Sequence, residues 1–402
     1  MHQTDTDHVS RLQEKHLARL QFLVGIAPIN LCKLLWRHRF RVHPGHWRDL
    51  GQLMFLSVLT SACNAGDSLR LARKARYTEI TWPPVFIVGH WRSGTTLLHK
   101  LLSLDTAFCA PTFFECCLPR GFVSGRRILK QRIAGHLLCA RPFDRAPFGV
   151  DEPFEDEFVL AREALLSPML AAVFPESGLA YRRHLCVDGF TPQELKRWRQ
   201  ALMDFARKLT WTHRRRLLFK SPAHSCRIPE LRRLFPGAKF IAMQRDPLDV
   251  IASTLRMEAE LLRHNALQRT AGVPDEEWIL RRYRLVQAAL DRARRDLPAA
   301  DFTDVDYASL CRTPESVLAA SYARLELESP ADLQRTLGGY FAARGVPQMH
   351  TSSCTPEQRT RWQRWLAGAG FERVSKTRTT VRSAAPAGAF IDPASAGRSG
   401  WY

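Results

Sequence analysis

The chain is short of acid. Its 402 residues hold 39 Asp plus Glu against 59 Lys plus Arg, a formal charge of +20. Such an imbalance favours anionic partners: a polyanionic small molecule, nucleic acid or an anionic membrane surface. Nucleic acid is not expected, because the chain has neither an alternating basic and aromatic stripe nor zinc-finger spacing. A basic solvated face accounts equally well for much of the charge. Paired cysteines are also missing. The ten cysteines include no C-x-x-C, so neither a structural zinc site nor any other metal is expected. Their scatter does not resemble a disulfide framework, which points to a reducing compartment. Long apolar runs are absent too. Leu20 to Trp36 (LQFLVGIAPINLCKLLW) is broken by Pro28, Asn30 and Lys33 and is too short for a membrane span. Arg37, His38, Arg39, Arg41 and His43 follow it. Two readings stay open: a helical extension packed on the core, or a strip lying on an anionic membrane through residues 20–43. The first nineteen residues are polar and show no secretory signal. The expected location is cytoplasmic, with membrane association open. Oligomeric state is not legible, and there is no internal repeat.

What is present is a series of buried strands alternating with helices. Strands are expected at Val85 to Val88, Arg216 to Lys220, Lys239 to Gln244 and Phe302 to Tyr307. Helices are expected at 50–59, 68–75, 191–209, 229–235, 247–262, 275–296 and 315–325. Thr191, Pro192 and Glu194 form a capping-box start for the third of these. The fold class is therefore α/β, a P-loop-like three-layer arrangement with a mostly parallel sheet between helices. The expected divisions are a helical N-terminal extension (1–80), the α/β domain (81–374) and a tail (375–402) rich in Ser, Thr, Ala, Gly and Pro. Phe108 to Phe148 is mixed, with aromatics and prolines, and suits the wall of an apolar pocket.

The most telling segment is VFIVGHWRSGTTLLHKLL, Val85 to Leu102. A strand, a glycine-bounded loop and a helix opening at Thr95 and Thr96 offer free N–H groups and the positive end of a helix dipole to a phosphate. The frame Gly89-x-x-x-x-Gly94 has P-loop spacing, but Thr95 stands where the P-loop lysine belongs. Arg92, inside the loop, is the fixed cation instead. A second anion site is suggested where the strand KFIAMQ ends in Arg245-Asp246-Pro247, with Ser253 eight residues beyond the arginine. Arg245 falls at the carboxyl edge of the sheet, where open α/β folds bind ligands. Arg245 and Ser253 together suit one phosphate.

The combination of W-R-S-G-T-T with a downstream R-D-P and a serine resembles the sulfotransferases that use 3′-phosphoadenosine 5′-phosphosulfate (PAPS). The closest look is to the branch whose loop reads G-H-W-R-S-G-T-T-L-L-H, and it covers about Pro83 to Leu325. The resemblance implies that Arg92, Ser93, Gly94, Thr95 and Thr96 hold the 5′-phosphosulfate, and Arg245 and Ser253 the 3′-phosphate. Two cradles suit a donor of about four negative charges. Two features depart from related chains. The C-terminal R-K-G-x-x-G-D-W-K of the cytosolic enzymes is missing, and Tyr307-Ala308-Ser309-Leu310 stands where Tyr-Glu-Asp-Leu is frequent.

Sulfuryl transfer needs a base for the acceptor proton and cations for the charge on the sulfonate. Glu115, just past the helix that follows the loop, is the first candidate base. Several branches of the superfamily place a glutamate at a similar distance. His224, in Lys220-Ser221-Pro222-Ala223-His224, is its rival, although the cytosolic enzymes carry their histidine two residues nearer the lysine. Lys220 is the candidate cation. Asp151 or Glu155, in the acidic run DEPFEDE, is a third choice of base. His90 and His99 are read as packing residues. The acceptor is an unidentified small molecule, glycan or lipid, offering a hydroxyl rather than an amine. Two other readings remain: a P-loop kinase-like nucleotide enzyme, and a non-catalytic anion- or membrane-binding protein on the same scaffold.

Overall fold

The computed structural model describes residues 21–131, 149–346, 348–351 and 354–370. The polar start, residues 132–148 of the aromatic segment and the tail 375–402 lie outside the described residues. Five strands form the sheet: β1 Val85–Gly89, β2 Phe108–Cys109, β3 Arg216–Lys220, β4 Lys239–Gln244 and β5 Phe302–Asp306. Their order is β2-β3-β1-β4-β5, and every pairing is parallel. The chain leaves β1 toward β2 and β3 on one side, while β4 and β5 lie on the other. A crevice therefore opens beside the carboxyl end of β1. In register, Ile87 faces Lys220 and Gly89 faces Met243.

Alternation along the strands feeds two cores, one per face. Phe86, Val88, Leu217, Phe219, Phe240 and Ala242 face one. Val85, Ile87, Leu218, Ile241 and Met243 face the other, where they meet Leu98, Leu101, Leu310 and Leu318. Phe86 stands in a cross-strand row, its ring centroid 5.5 Å from that of Phe219 and 5.5 Å from that of Phe240. Burying each such ring contributes about 1.5–3 kcal/mol.

Helices precede the first strand, and the boundaries sharpen. The two expected segments 50–59 and 68–75 are one thirty-residue helix, Trp47–Arg76. A shorter helix, Pro28–Arg37, comes before it. Phe22, Leu23, Ile26, Leu31, Leu34 and Leu35 are buried in the same core as Phe86 and Phe219. Among the described residues no helix is long and apolar enough to cross a membrane. The Thr191–Glu194 capping box opens the helix Pro192–His213. The edge strand β2 was not anticipated, because two residues are too few to show alternation. A second unit begins at Glu357 and holds most of the helix Pro356–Gly368.

Candidate active site

β1 ends at Gly89 with φ 138°. A Cβ there would lie 2.9 Å from Ser93 Oγ and 3.0 Å from the Met243 carbonyl oxygen. Ser225 Oγ accepts from the Gly89 N–H at 2.8 Å and donates to the Gly89 carbonyl at 3.1 Å, which pins the loop's start. The loop closes on itself where Ser93 Oγ donates to the His90 carbonyl at 2.7 Å. Arg92 takes a left-handed backbone, φ 67°, at a cost of about 1–2 kcal/mol for a residue with a side chain. Gly94 has φ 106°, and an added Cβ would sit 2.4 Å from the Tyr307 ring. The helix Thr95–Leu102 starts directly after it with no side-chain cap. Its first N–H groups lack intrahelical acceptors, the arrangement that suits an anion.

The second candidate anion site stands against the first. Arg245, just past β4, donates to the Arg92 carbonyl at 2.9 Å and to the His350 carbonyl. Its guanidinium lies over the Tyr307 ring, 4.4 Å from the centroid. Buried Ser253 accepts from Arg92 Nε at 2.9 Å, so Arg92, Arg245 and Ser253 form one cluster. Asp246 caps the helix Pro247–Asn265 by accepting from the N–H groups of Leu248 and Asp249. In the Tyr307-Ala308-Ser309 stretch, Asp306 is the cap, accepting from the Ser309 N–H at 2.8 Å.

A third group comes from the end of β3. Lys220 is 2% exposed and bonds Glu155 Oε1 at 2.5 Å. Glu155 Oε2 is buried and has no hydrogen-bond partner among the described residues. The next two acids are paired as well. Asp156 Oδ2 meets His224 Nε2 at 2.5 Å. Glu157 accepts from Arg227 at 2.7 and 3.2 Å, and from Ser221 Oγ at 3.3 Å. Three consecutive carboxylates thus fasten the segment 220–227, and Asp156, Glu157, His224 and Arg227 are fully buried. The His224 ring packs edge-on against Phe86 at 5.6 Å and Trp198 at 6.3 Å.

Glu115 is placed elsewhere. Its carboxylate caps its own helix, Phe113–Cys117, accepting from the Thr112 N–H at 2.9 Å. Its other oxygen bonds His213 Nε2 at 2.7 Å, three residues before β3 begins. Burial raises its pKa, but the His213 bond and charge and the Thr112 bonds outweigh that and hold it below the ordinary value. Its partners belong to neither the loop 89–96 nor the Lys220 and Arg245 groups.

His90 and His99 are fully buried. Burial, with Arg282 nearby, lowers His90 to about 3. Burial, with Lys220 nearby, drives His99 well below the usual histidine range. Both fit the packing role expected of them. Among the described residues no three His, Cys, Asp or Glu side chains are grouped so as to hold a metal ion.

Comparison with known proteins decides the family. Residues 83–331 match the model of the Sulfotransferase family. The chain belongs to that family. This sulfotransferase is 31% identical over 360 residues to the omega-hydroxy-beta-dihydromenaquinone-9 sulfotransferase Stf3 of Mycobacterium bovis, covering 88% of this chain and 92% of that protein. The Stf3 protein of Mycobacterium tuberculosis gives the same figures. The fold of this sulfotransferase is also that of solved structures. Sulfotransferase STF9 from Mycobacterium avium aligns with TM-score 0.53 at 18% identity, over 76% of this chain and 81% of that one. STF1 from Mycobacterium tuberculosis aligns with TM-score 0.52 at 17% identity, over 82% and 87%.

The acids 155–157 were under-read in the sequence. Their partners lie about 65–70 residues away, and the only signal was the density of acids in a basic chain.

Proposed function

We propose that this sulfotransferase moves a sulfuryl group from PAPS to a hydroxyl of an apolar, lipid-like acceptor, with Glu155 as base and Lys220 as the cation at the transferring group. The observation that carries this reading is the Lys220–Glu155 pair at the end of β3, the strand beside the phosphate loop. The donor, when bound, supplies a sulfuryl group on an anhydride that displacement at sulfur can break. Arg92, Ser93, Gly94, Thr95 and Thr96 would hold the 5′-phosphosulfate, and Arg245 with Ser253 the 3′-phosphate. The fit is supported by the uncapped helix start, by two arginines in one cluster and by a glycine at 94 where a side chain would strike Tyr307.

In-line displacement leaves the chain two tasks. Glu155 Oε2, which has no hydrogen-bond partner among the described residues, accepts the acceptor's proton. Lys220 faces the charge that grows on the sulfonate oxygens. His224, packed and bonded to Asp156, holds the Glu155–Glu157 turn and acts as a positioning residue. The lipid-like acceptor is supported by the printed substrate of Stf3, a hydroxylated dihydromenaquinone.

The test is sulfuryl transfer to long-chain primary alcohols and to glycans, followed by mass spectrometry. Glu155→Gln is expected to lower kcat by about 10²–10⁴ while leaving donor affinity in place. Glu115→Gln is expected to leave kcat nearly unchanged. A folded Glu115→Gln protein without turnover, beside an active Glu155→Gln, would return the role of base to Glu115.

A further inference from the structure

The helix Trp47–Arg76 is apolar on its open side as well as on its buried one. From Leu50 to Gly66 it has no charged side chain. Its buried side joins Leu50, Leu53 and Cys63 with Ser57, Thr60 and Asp67. Its open side carries Phe55, Val58 and Leu69, at 69%, 58% and 89% exposure. The register is locked. Ser57 Oγ donates to the Ile26 carbonyl, and Asp67 accepts from the N–H groups of Val123 and Ser124 and from Lys208. Trp47, Gly51, Phe55, Val58, Ala62, Ala65 and Leu69 recur every three or four residues. They make one apolar line about 33 Å long. A helix packed on a core normally turns such a line inward.

The charges along this segment are mostly basic. Residues 21–78 contain nine Lys and Arg and two Asp. Those two, Asp49 and Asp67, are both buried. The preceding turn adds exposed Trp36 and Phe40, whose rings meet at 6.3 Å. Tryptophan beside cations suits the headgroup level of a bilayer.

We propose that this face is a docking surface for an anionic lipid bilayer, with the helix lying in the interface plane. Apolar side chains enter the acyl boundary, and Arg37, Arg39 and Arg48 meet acidic headgroups. A second copy of the chain is a poorer occupant, since it would set two basic fringes against each other. The surface shares Trp36 to Phe40 with the strip 20–43 suggested by the sequence, but most large residues of 20–35 are buried and the helix Trp47–Arg76 supplies the apolar line. The proposal stands apart from the chemistry assigned to the active site, and its test uses no turnover.

Full-length protein is sedimented with phosphatidylcholine vesicles and with mixed phosphatidylcholine–phosphatidylglycerol vesicles. Wild type is expected to pellet with the acidic vesicles, less so at high salt. The variant Phe55→Ser/Val58→Ser/Leu69→Ser is expected to bind at least about tenfold more weakly, with a melting temperature close to wild type because these side chains are mostly exposed. Arg284→Gln, an exposed charge removed elsewhere, is expected to bind as wild type. Wild type remaining in the supernatant with every vesicle overturns the proposal. So does a triple variant that pellets as well as wild type, or self-association of wild type that the triple variant loses without any vesicle binding.

Discussion

Arg245 lies over the ring of Tyr307, 4.4 Å from its centroid, and reaches the Arg92 carbonyl at 2.9 Å. Tyr307 therefore touches both proposed anion sites, since its ring also fills the space beside Gly94. A cation over an aromatic face contributes about 0.5–2 kcal/mol. Tyr307→Ala is expected to weaken binding of adenosine 3′,5′-bisphosphate by about 2- to 30-fold, and Tyr307→Phe to retain most of it. Titration calorimetry reads both.

Gly94→Ala meets two obstacles at once, a φ of 106° and the Tyr307 ring. A loss of about 1–3 kcal/mol in unfolding free energy is expected from the backbone alone. Nucleotide binding should fall further than stability does. Denaturant unfolding together with a binding isotherm separates the two effects.

The buried Arg227–Glu157 fork holds the acids 155–157 in register with β3. Removing one partner leaves a charge uncompensated in the core. Arg227→Met is expected to cost about 3–5 kcal/mol, and Arg227→Met/Glu157→Leu to recover much of it. Chemical denaturation of the two variants checks the pattern.

Glu115 gives a pH signature. Its folded pKa is depressed, so its stabilising contribution is complete above the unfolded value near ~4.3 and is lost as pH falls through the folded value. The melting temperature of wild type should exceed that of Glu115→Gln at pH 6. The gap should close on acidification through the carboxylate range. Calorimetric scans across that range measure it.

Much of this was legible in the sequence because it is local. The loop 89–96, the Arg245-Asp246-Pro247 turn and the Thr191–Glu194 cap are each encoded within a few consecutive residues. Three of the five strands were readable as short apolar runs, and Phe302 to Tyr307 was expected as a fourth. Thr112 and Glu115 were also a readable capping box, three residues apart ahead of an apolar helix. Proximity to the loop in sequence instead suggested catalysis. The pairing of Glu155, Asp156 and Glu157 with Lys220, His224 and Arg227 was not readable, since ion pairs leave no periodic trace in the segments they join. The helix Trp47–Arg76, expected as two segments, shows a related limit. Apolar residues on both sides blur the period that marks a helix.

The central claim is that the loop 89–96 and Arg245 form one site for a nucleotide with phosphates at both ends of its ribose. Calorimetric binding of adenosine 3′,5′-bisphosphate without magnesium, to wild type and to Arg245→Ala, tests it most directly. The account predicts tight binding to wild type and a loss of tenfold or more, on the order of 1.4 kcal/mol, in the variant. A folded wild type that does not bind, or a variant that binds equally well, would contradict it.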